Sequence, residues 1–363
     1  VPNPRFPLPP VTMNQGRVNR LLIIGLPLGL AAMLAASVFL THGRKIFGWG
    51  DAAYLTENDR VETAPAVGRV LQKGVEEAML RRTLDILTVK IGERNLANFD
   101  NLQAAAYFIE SSMGQNNMGY QMTRQEYTVE GKPVWNLEGR LPGGKAGREV
   151  VVVGAHYDSA KGSPGADDNA SGVAALMAVA QALSGVSLNR EVRFVVFVNG
   201  AIPGFQTDSM GSLVYARSCK ARGDHLVSML SLDTLGCYLD APGSQRYPEG
   251  IDATGLPTVG NFLAVVGDEA APELVERIRE AFQRHSSFPL VAAALPGGVP
   301  GVADSDHWSF WQNGYPGVLI TDTAGYRYPE FGTAQDTPQR IDFARLTEVT
   351  KGLVEVVKAL ATE

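Results

Sequence analysis

The sequence predicts an α/β protein with a mostly parallel central sheet and helices on both faces, plus one N-terminal transmembrane helix. Three observations carry that prediction. Val151-Val152-Val153-Gly154-Ala155 is an uninterrupted apolar run, the pattern of a strand buried on both faces of a sheet. Further runs of this kind alternate downstream with helix-length segments, as expected of parallel strands joined by crossovers. Leu21–Leu40, LLIIGLPLGLAAMLAASVFL, carries no charge over 20 residues, about the length that spans a bilayer core.

The domain organisation follows in chain order. Residues 1–20 contain Pro2, Pro4, Pro7, Pro9 and Pro10 with few apolar positions, and read as a disordered tail. Residues 21–40 read as an anchor that is not cleaved, because the apolar run ends Val-Phe-Leu-Thr-His rather than in a small-residue cleavage site. Arg5, Arg17 and Arg20 precede it, and Arg44 and Lys45 follow. That balance favours a cytoplasmic N-terminus and an exported C-terminal domain, periplasmic or extracellular. Residues 41–64 form a linker, and residues 65–363 a single large domain.

Within that domain the apolar spacing of Val67, Val70, Leu71, Val75, Ala78, Met79 and Leu80 predicts a helix continuing to Leu87. A second helix runs from Asn101 to about Met113. Gln125–Val129 and Val134–Gly139 read as two strands around the turn Glu130-Gly131-Lys132-Pro133. After the Val151 strand come a helix at 172–183, a strand at 191–198 and a helix at about 210–221. A strand at 227–232, a helix at 272–285, a strand at 317–321 and a closing helix from Phe343 to Leu360 complete the series.

The net charge of −6 gives no basic footprint, which argues against a nucleic-acid partner. Cys219 and Cys237 form neither a C-x-x-C pair nor a disulfide framework, and two buried free thiols are expected. Their pairing stays open if the domain is exported.

The chemistry concentrates after the Val151 strand, in AHYDSAKGSPGADDNASG. His156 and Asp158 are two residues apart at a strand end, so their side chains share a side. Imidazole is a standard zinc ligand, and a ligating His usually gives its other N–H to a carboxylate, which fixes its tautomer and direction. Asp168 lies in the Gly-rich turn before the next helix, at the carboxyl edge of the sheet where open α/β proteins bind ligands.

The motif H-Y-D followed by P-G-A-D-D-N-A-S-G resembles the two-zinc exopeptidases, metallopeptidase family twenty-eight. That family includes the bacterial leucyl aminopeptidases and the glutamate carboxypeptidases. The resemblance covers about residues 66–363 and implies a zinc-exopeptidase-like (phosphorylase/hydrolase-like) fold. It implies that His156 and Asp233 complete one metal, that Asp168 bridges to a second, and that Asp158 stands behind His156. The second metal would take a Glu and a His, and a further Glu would act as general base on the metal-bound water. Here the chain departs from the family. The acidic pair falls on Gly200 and Ala201 in FVNGAIP, with the base at Gly200, and the last His falls on Gly332 in PEFGTAQDT.

Glu330, two residues before Gly332, is the one candidate substitute ligand; Asp208 lies too far along its loop, and His307 reads as structural. These departures predict a membrane-anchored, catalytically impaired member of the family. It would hold one zinc or a similar divalent ion and keep its former substrate cleft for peptides or a protein partner. The alternatives are an active aminopeptidase with an atypical one-metal site, and a purely structural or interaction module.

Overall fold

The computed structural model describes residues 74–144 and 148–363. The tail, the expected anchor at Leu21–Leu40 and the linker lie outside the described residues. No helix among the described residues is long and apolar enough to cross a membrane.

The chain enters through α1 (Glu77–Asp85), continued by a wider helical turn over Ile86–Ile91, and α2 (Phe99–Met113). An antiparallel ladder of β1 (Met122–Val129) and β2 (Lys132–Leu141) follows. Its turn is tighter than the sequence suggests. Glu130 and Gly131 both adopt positive φ, 50° and 76°, which lets a two-residue loop match the strand twist. Lys132 and Pro133 therefore join the ladder, opposite Val129 and Thr128.

Next come β3 (Glu149–His156), α3 (Gly172–Leu183), β4 (Glu191–Phe197), α4 (Gly211–Arg222) and β5 (His225–Leu232). The C-terminal part adds β6 (Leu263–Asp268), α5 (Pro272–His285), β7 (Leu290–Leu295), α6 (His307–Trp311), β8 (Gly317–Thr321) and α7 (Phe343–Thr362). The eight strands form one sheet in the order β1-β2-β4-β3-β5-β8-β6-β7.

The mostly parallel expectation holds for the centre of the sheet and is modified at its flanks. The central strands β4, β3, β5 and β8 are parallel. The flanks are not: β1 and β2 join antiparallel, and β6 runs antiparallel to β8 while pairing in parallel with β7. Strands β6 and β7 are absent from the sequence expectation. Strand β7 is half-exposed along its whole length, so neither alternation nor a buried run marks it, and β6 ends in Gly267-Asp268, which read as a turn.

Alternation along β3 divides the core. Val150 and Val152 join Val195, Phe197, Tyr215, Cys219, Met229 and Phe310 in one cluster against α4 and α6. Val151 and Val153, also buried, face the opposite layer by the period of two, where α3 and α7 pack on β3. Both cysteines are buried and free.

One buried cation ties the N-terminal segment to this frame. Arg94 is fully buried. Its guanidinium donates to the carbonyls of Tyr157 (2.9 Å), Leu87 (3.0 Å), Gly92 (3.0 Å), Pro164 (2.5 Å) and Gly165 (3.1 Å). Burial lowers its pKa to about 10, against the charges of Asp158, Asp336 and Asp168, and at neutral pH it remains a cation. Arg94→Met should therefore orphan five carbonyls and lower stability by on the order of 3 kcal/mol or more. Arg94→Lys should recover only part of that, because an ammonium lacks the planar fork. Urea unfolding of the three proteins checks both expectations.

Candidate metal centre

The site lies where the parallel strands end. His156 is the last residue of β3 and Asp233 follows β5, its immediate neighbour in the sheet. Strand β4, on the other side of β3, runs out into Asn199-Gly200-Ala201. Asp168 stands in the turn over Ala166–Ser171 that feeds α3. Four chain segments thus meet at one carboxyl edge, the general position for a site in an open α/β sheet.

His156 Nε2 lies 3.4 Å from Asp168 Oδ1 and 3.5 Å from Asp233 Oδ2. One ligand atom from each of the three residues falls within 4.8 Å of the others, the one such group among the described residues. Tetrahedral zinc with bonds of about 2.0–2.1 Å separates its ligands by roughly 3.3 Å. The imidazole and two carboxylates therefore fit one divalent ion.

The neighbouring groups fix these three. His156 Nδ1–H donates to the backbone carbonyl of Asp158 at 3.1 Å, which leaves Nε2 free to ligate. The Asp158 carboxylate stands farther off, 3.5 Å from Nδ1. It is held instead by the backbone N–H groups of Gly200 and Ala201, each at 2.9 Å. Burial pushes its pKa up, but His156 and these two N–H groups outweigh that, and the pKa is lowered.

Ser305 Oγ–H donates to Asp233 Oδ2 at 2.7 Å, and Ser231 stands behind Ser305 at 2.8 Å. Asp336 accepts the backbone N–H of Asp167 at 2.8 Å and of Asp168 at 3.1 Å, so the loop after Gly332 clamps the Asp168 turn. Sequence reasoning misses Arg94, Ser305 and Asp336 as supports, since each reads alone as an ordinary loop residue.

The electrostatics are those of buried carboxylates packed side by side. Burial raises Asp168, and the charges of Asp233 and Asp158 add to this against the hydrogen bond from His156. Burial and the charges of Asp322 and Asp336 push Asp167 well up, and burial takes Asp336 to about 6. Burial alone would depress His156, yet its hydrogen bonds to Asp158, Asp168 and Asp233 hold its pKa well above the ordinary imidazole value. A bound cation would take the place of that proton.

The second half of the expected site offers no such set. Gly200, Ala201 and Gly332 present no donor atom. Glu330 pairs with Arg340 at 3.0 Å, and Asp208 pairs with Arg217 on the surface at 2.8 Å. His307 donates from Nε2 to the Val302 carbonyl at 2.7 Å, and burial lowers its pKa to about 4. It is neutral and bonded to loop backbone.

Two expectations follow. Ser305→Ala frees the Asp233 carboxylate to rotate, so zinc affinity should fall roughly 10- to 100-fold by calorimetric titration. Asp306 is fully buried with both carboxyl oxygens unpartnered, and burial raises its pKa to about 7. A raised carboxyl pKa means that the folded state keeps the proton longer. Stability of the metal-free protein should therefore fall as pH rises from about 4 to about 7. Asp306→Asn should flatten that part of the profile, read by urea unfolding at pH 5 and pH 8 with chelator present.

Comparison with known proteins agrees with this geometry. The chain matches Peptidase family M28 over residues 136–357. It is 32% identical over 286 residues to the uncharacterized protein YfbL of Escherichia coli K12, covering 77% of this chain and 86% of that one. Leucine aminopeptidase 1 of Trichophyton equinum is 26% identical over 273 residues, 72% of this chain and 66% of its own length. Among solved structures, the zinc aminopeptidase BSAP from Bacillus subtilis superposes with a TM-score of 0.62 at 14% identity, over 80% of this chain and 97% of that one. Sequence match and shared fold together place the chain in peptidase family M28, the two-zinc exopeptidases.

Proposed function

We propose that this chain is a membrane-anchored M28 protein that holds one divalent ion, zinc by preference, at His156, Asp168 and Asp233. In this reading it is impaired as a peptidase and uses its former substrate cleft to bind peptides or a protein partner. The absence of any donor side chain at positions 200, 201 and 332 supports this reading above all else.

When bound, such an ion acidifies a ligated water and polarises a carbonyl oxygen. The chain's own residues cover only part of what hydrolysis then requires. His156 is oriented through the Asp158 carbonyl and Asp233 through Ser305. The Asp158 carboxylate, the nearest acid to His156 Nδ1, is already occupied by two backbone N–H groups. No side chain at the family's base position can take a proton from an attacking water. Loss of such a group typically costs factors of roughly 10²–10⁴.

The anchoring segment is Leu21–Leu40, and the charges flanking it favour export of the domain. An active aminopeptidase with one metal would be the second reading, favoured by the completeness of the retained ligand set.

Elemental analysis of the purified full-length chain in detergent, after dialysis against trace zinc, should give about one equivalent, lost in His156→Ala. Release of amino acids from unblocked peptides should not exceed that of the chelated control. Metal-dependent turnover well above the control would establish the second reading, and no zinc at all would remove the metal from both.

A further inference from the structure

The three emptied positions are not equivalent. A Cβ placed on Gly200 would lie 2.6 Å from His156 Cβ, 2.7 Å from its Cγ and 3.2 Å from its Cδ2. Those atoms are the root of the imidazole, which has no freedom to swing aside as a side-chain tip would. Neither backbone can easily retreat. His156 is paired in register with Phe197 of β4. Gly200 and Ala201 are pinned by their N–H bonds to the two oxygens of Asp158. Asn199, just before them, is fixed by its side-chain amide on the Ser209 carbonyl at 2.9 Å.

The other two positions are open. Ala201 already carries a Cβ and is half-buried. Nothing lies within 4 Å of a Cβ placed on Gly332, although its φ of +68° would strain any side chain there.

We propose that Gly200 is a positioning residue for the retained metal half. Its missing Cβ is what lets the His156 imidazole lie against the end of β4, in the space that a general base would need. The two lost metal-ligand positions, 201 and 332, remain recoverable by substitution, whereas the base position is closed while His156 stays in place. The metal-binding part of this proposal rests on the one-ion reading above.

The test starts from Gly200→Ala in the full-length chain, with Ile202→Val, at an exposed residue of the same turn, as the control. Gly200→Ala should weaken zinc binding at least tenfold by titration with the metal alone, and should lower the Tm of the metal-free protein. The control should leave both unchanged. In a His156→Gly background, where the colliding atoms are gone, the Tm penalty of Gly200→Ala should largely disappear.

Ala201→Glu with Gly332→His should raise zinc content from one equivalent to two, and adding Gly200→Glu should lower it again. Wild-type zinc affinity and Tm in Gly200→Ala, or an equal Tm penalty in the His156→Gly background, would overturn the proposal. So would a triple variant that keeps two equivalents. Should the parent chain bind no zinc, the one-ion reading fails separately, and the Tm comparison still decides whether position 200 is closed.

Discussion

The site depends on how a fold can bury so many carboxylates side by side. Asp158, Asp167, Asp168, Asp306, Asp322 and Asp336 are all buried, and Asp233 is nearly so. The buried cations near them are His156, Arg94 and Arg327. Unpaired buried charge is expensive, so each carboxylate must find N–H or O–H donors, keep a proton, or face a cation. Main-chain N–H groups serve Asp158, Asp167, Asp322 and Asp336. Hydroxyls serve Asp233 and Asp322. Asp306 is left without a donor and keeps its proton up to about pH 7.

Strand order makes this arrangement possible. Parallel β4, β3, β5 and β8 end at the same edge, so the loops leaving them converge there, and N–H groups a few residues past the strand ends are free to turn onto carboxylates. The bonds from Gly200 and Ala201 to Asp158 illustrate the consequence. They come from the main chain, so no side-chain donor at 200 or 201 is needed to hold Asp158. Position 201 can change its side chain without unfastening Asp158, whereas any Cβ at position 200 would press on the root of the His156 imidazole. The His156 side of the site and the end of β4 are therefore coupled through the space at position 200.

Local signals in the sequence reached the parallel centre and stopped at its margins. Helix α5 was legible residue for residue, with Pro272 at its first turn and Arg284 and His285 in its last, which suit the two ends of a helix. Strand β8 was equally clear as Gly317–Thr321. Strand β7, LVAAAL, is half-exposed throughout, and neither alternation nor a continuous buried run marks it. The antiparallel pairing of β6 with β8 is a long-range choice that no local pattern encodes. In the site, His156, Asp168 and Asp233 could be named from the motif. That the Asp158 carbonyl lies closer to His156 than its carboxylate could not, since backbone geometry decides it. Arg94 gave no signal, because a lone arginine in a loop ordinarily lies in water.

The retained ligand set can be understood without reference to turnover. Two carboxylates facing one imidazole in a site with little access to water need a positive charge between them. A proton on His156 supplies one, and a divalent ion supplies two. Replacing the proton by an ion therefore offsets more of the desolvation that Asp168 and Asp233 incur, and does so whether or not a base is present. The site belongs to the stability of the carboxyl edge as much as to catalysis. His156, Asp168 and Asp233 would then be held in place by folding as well as by any ion they bind.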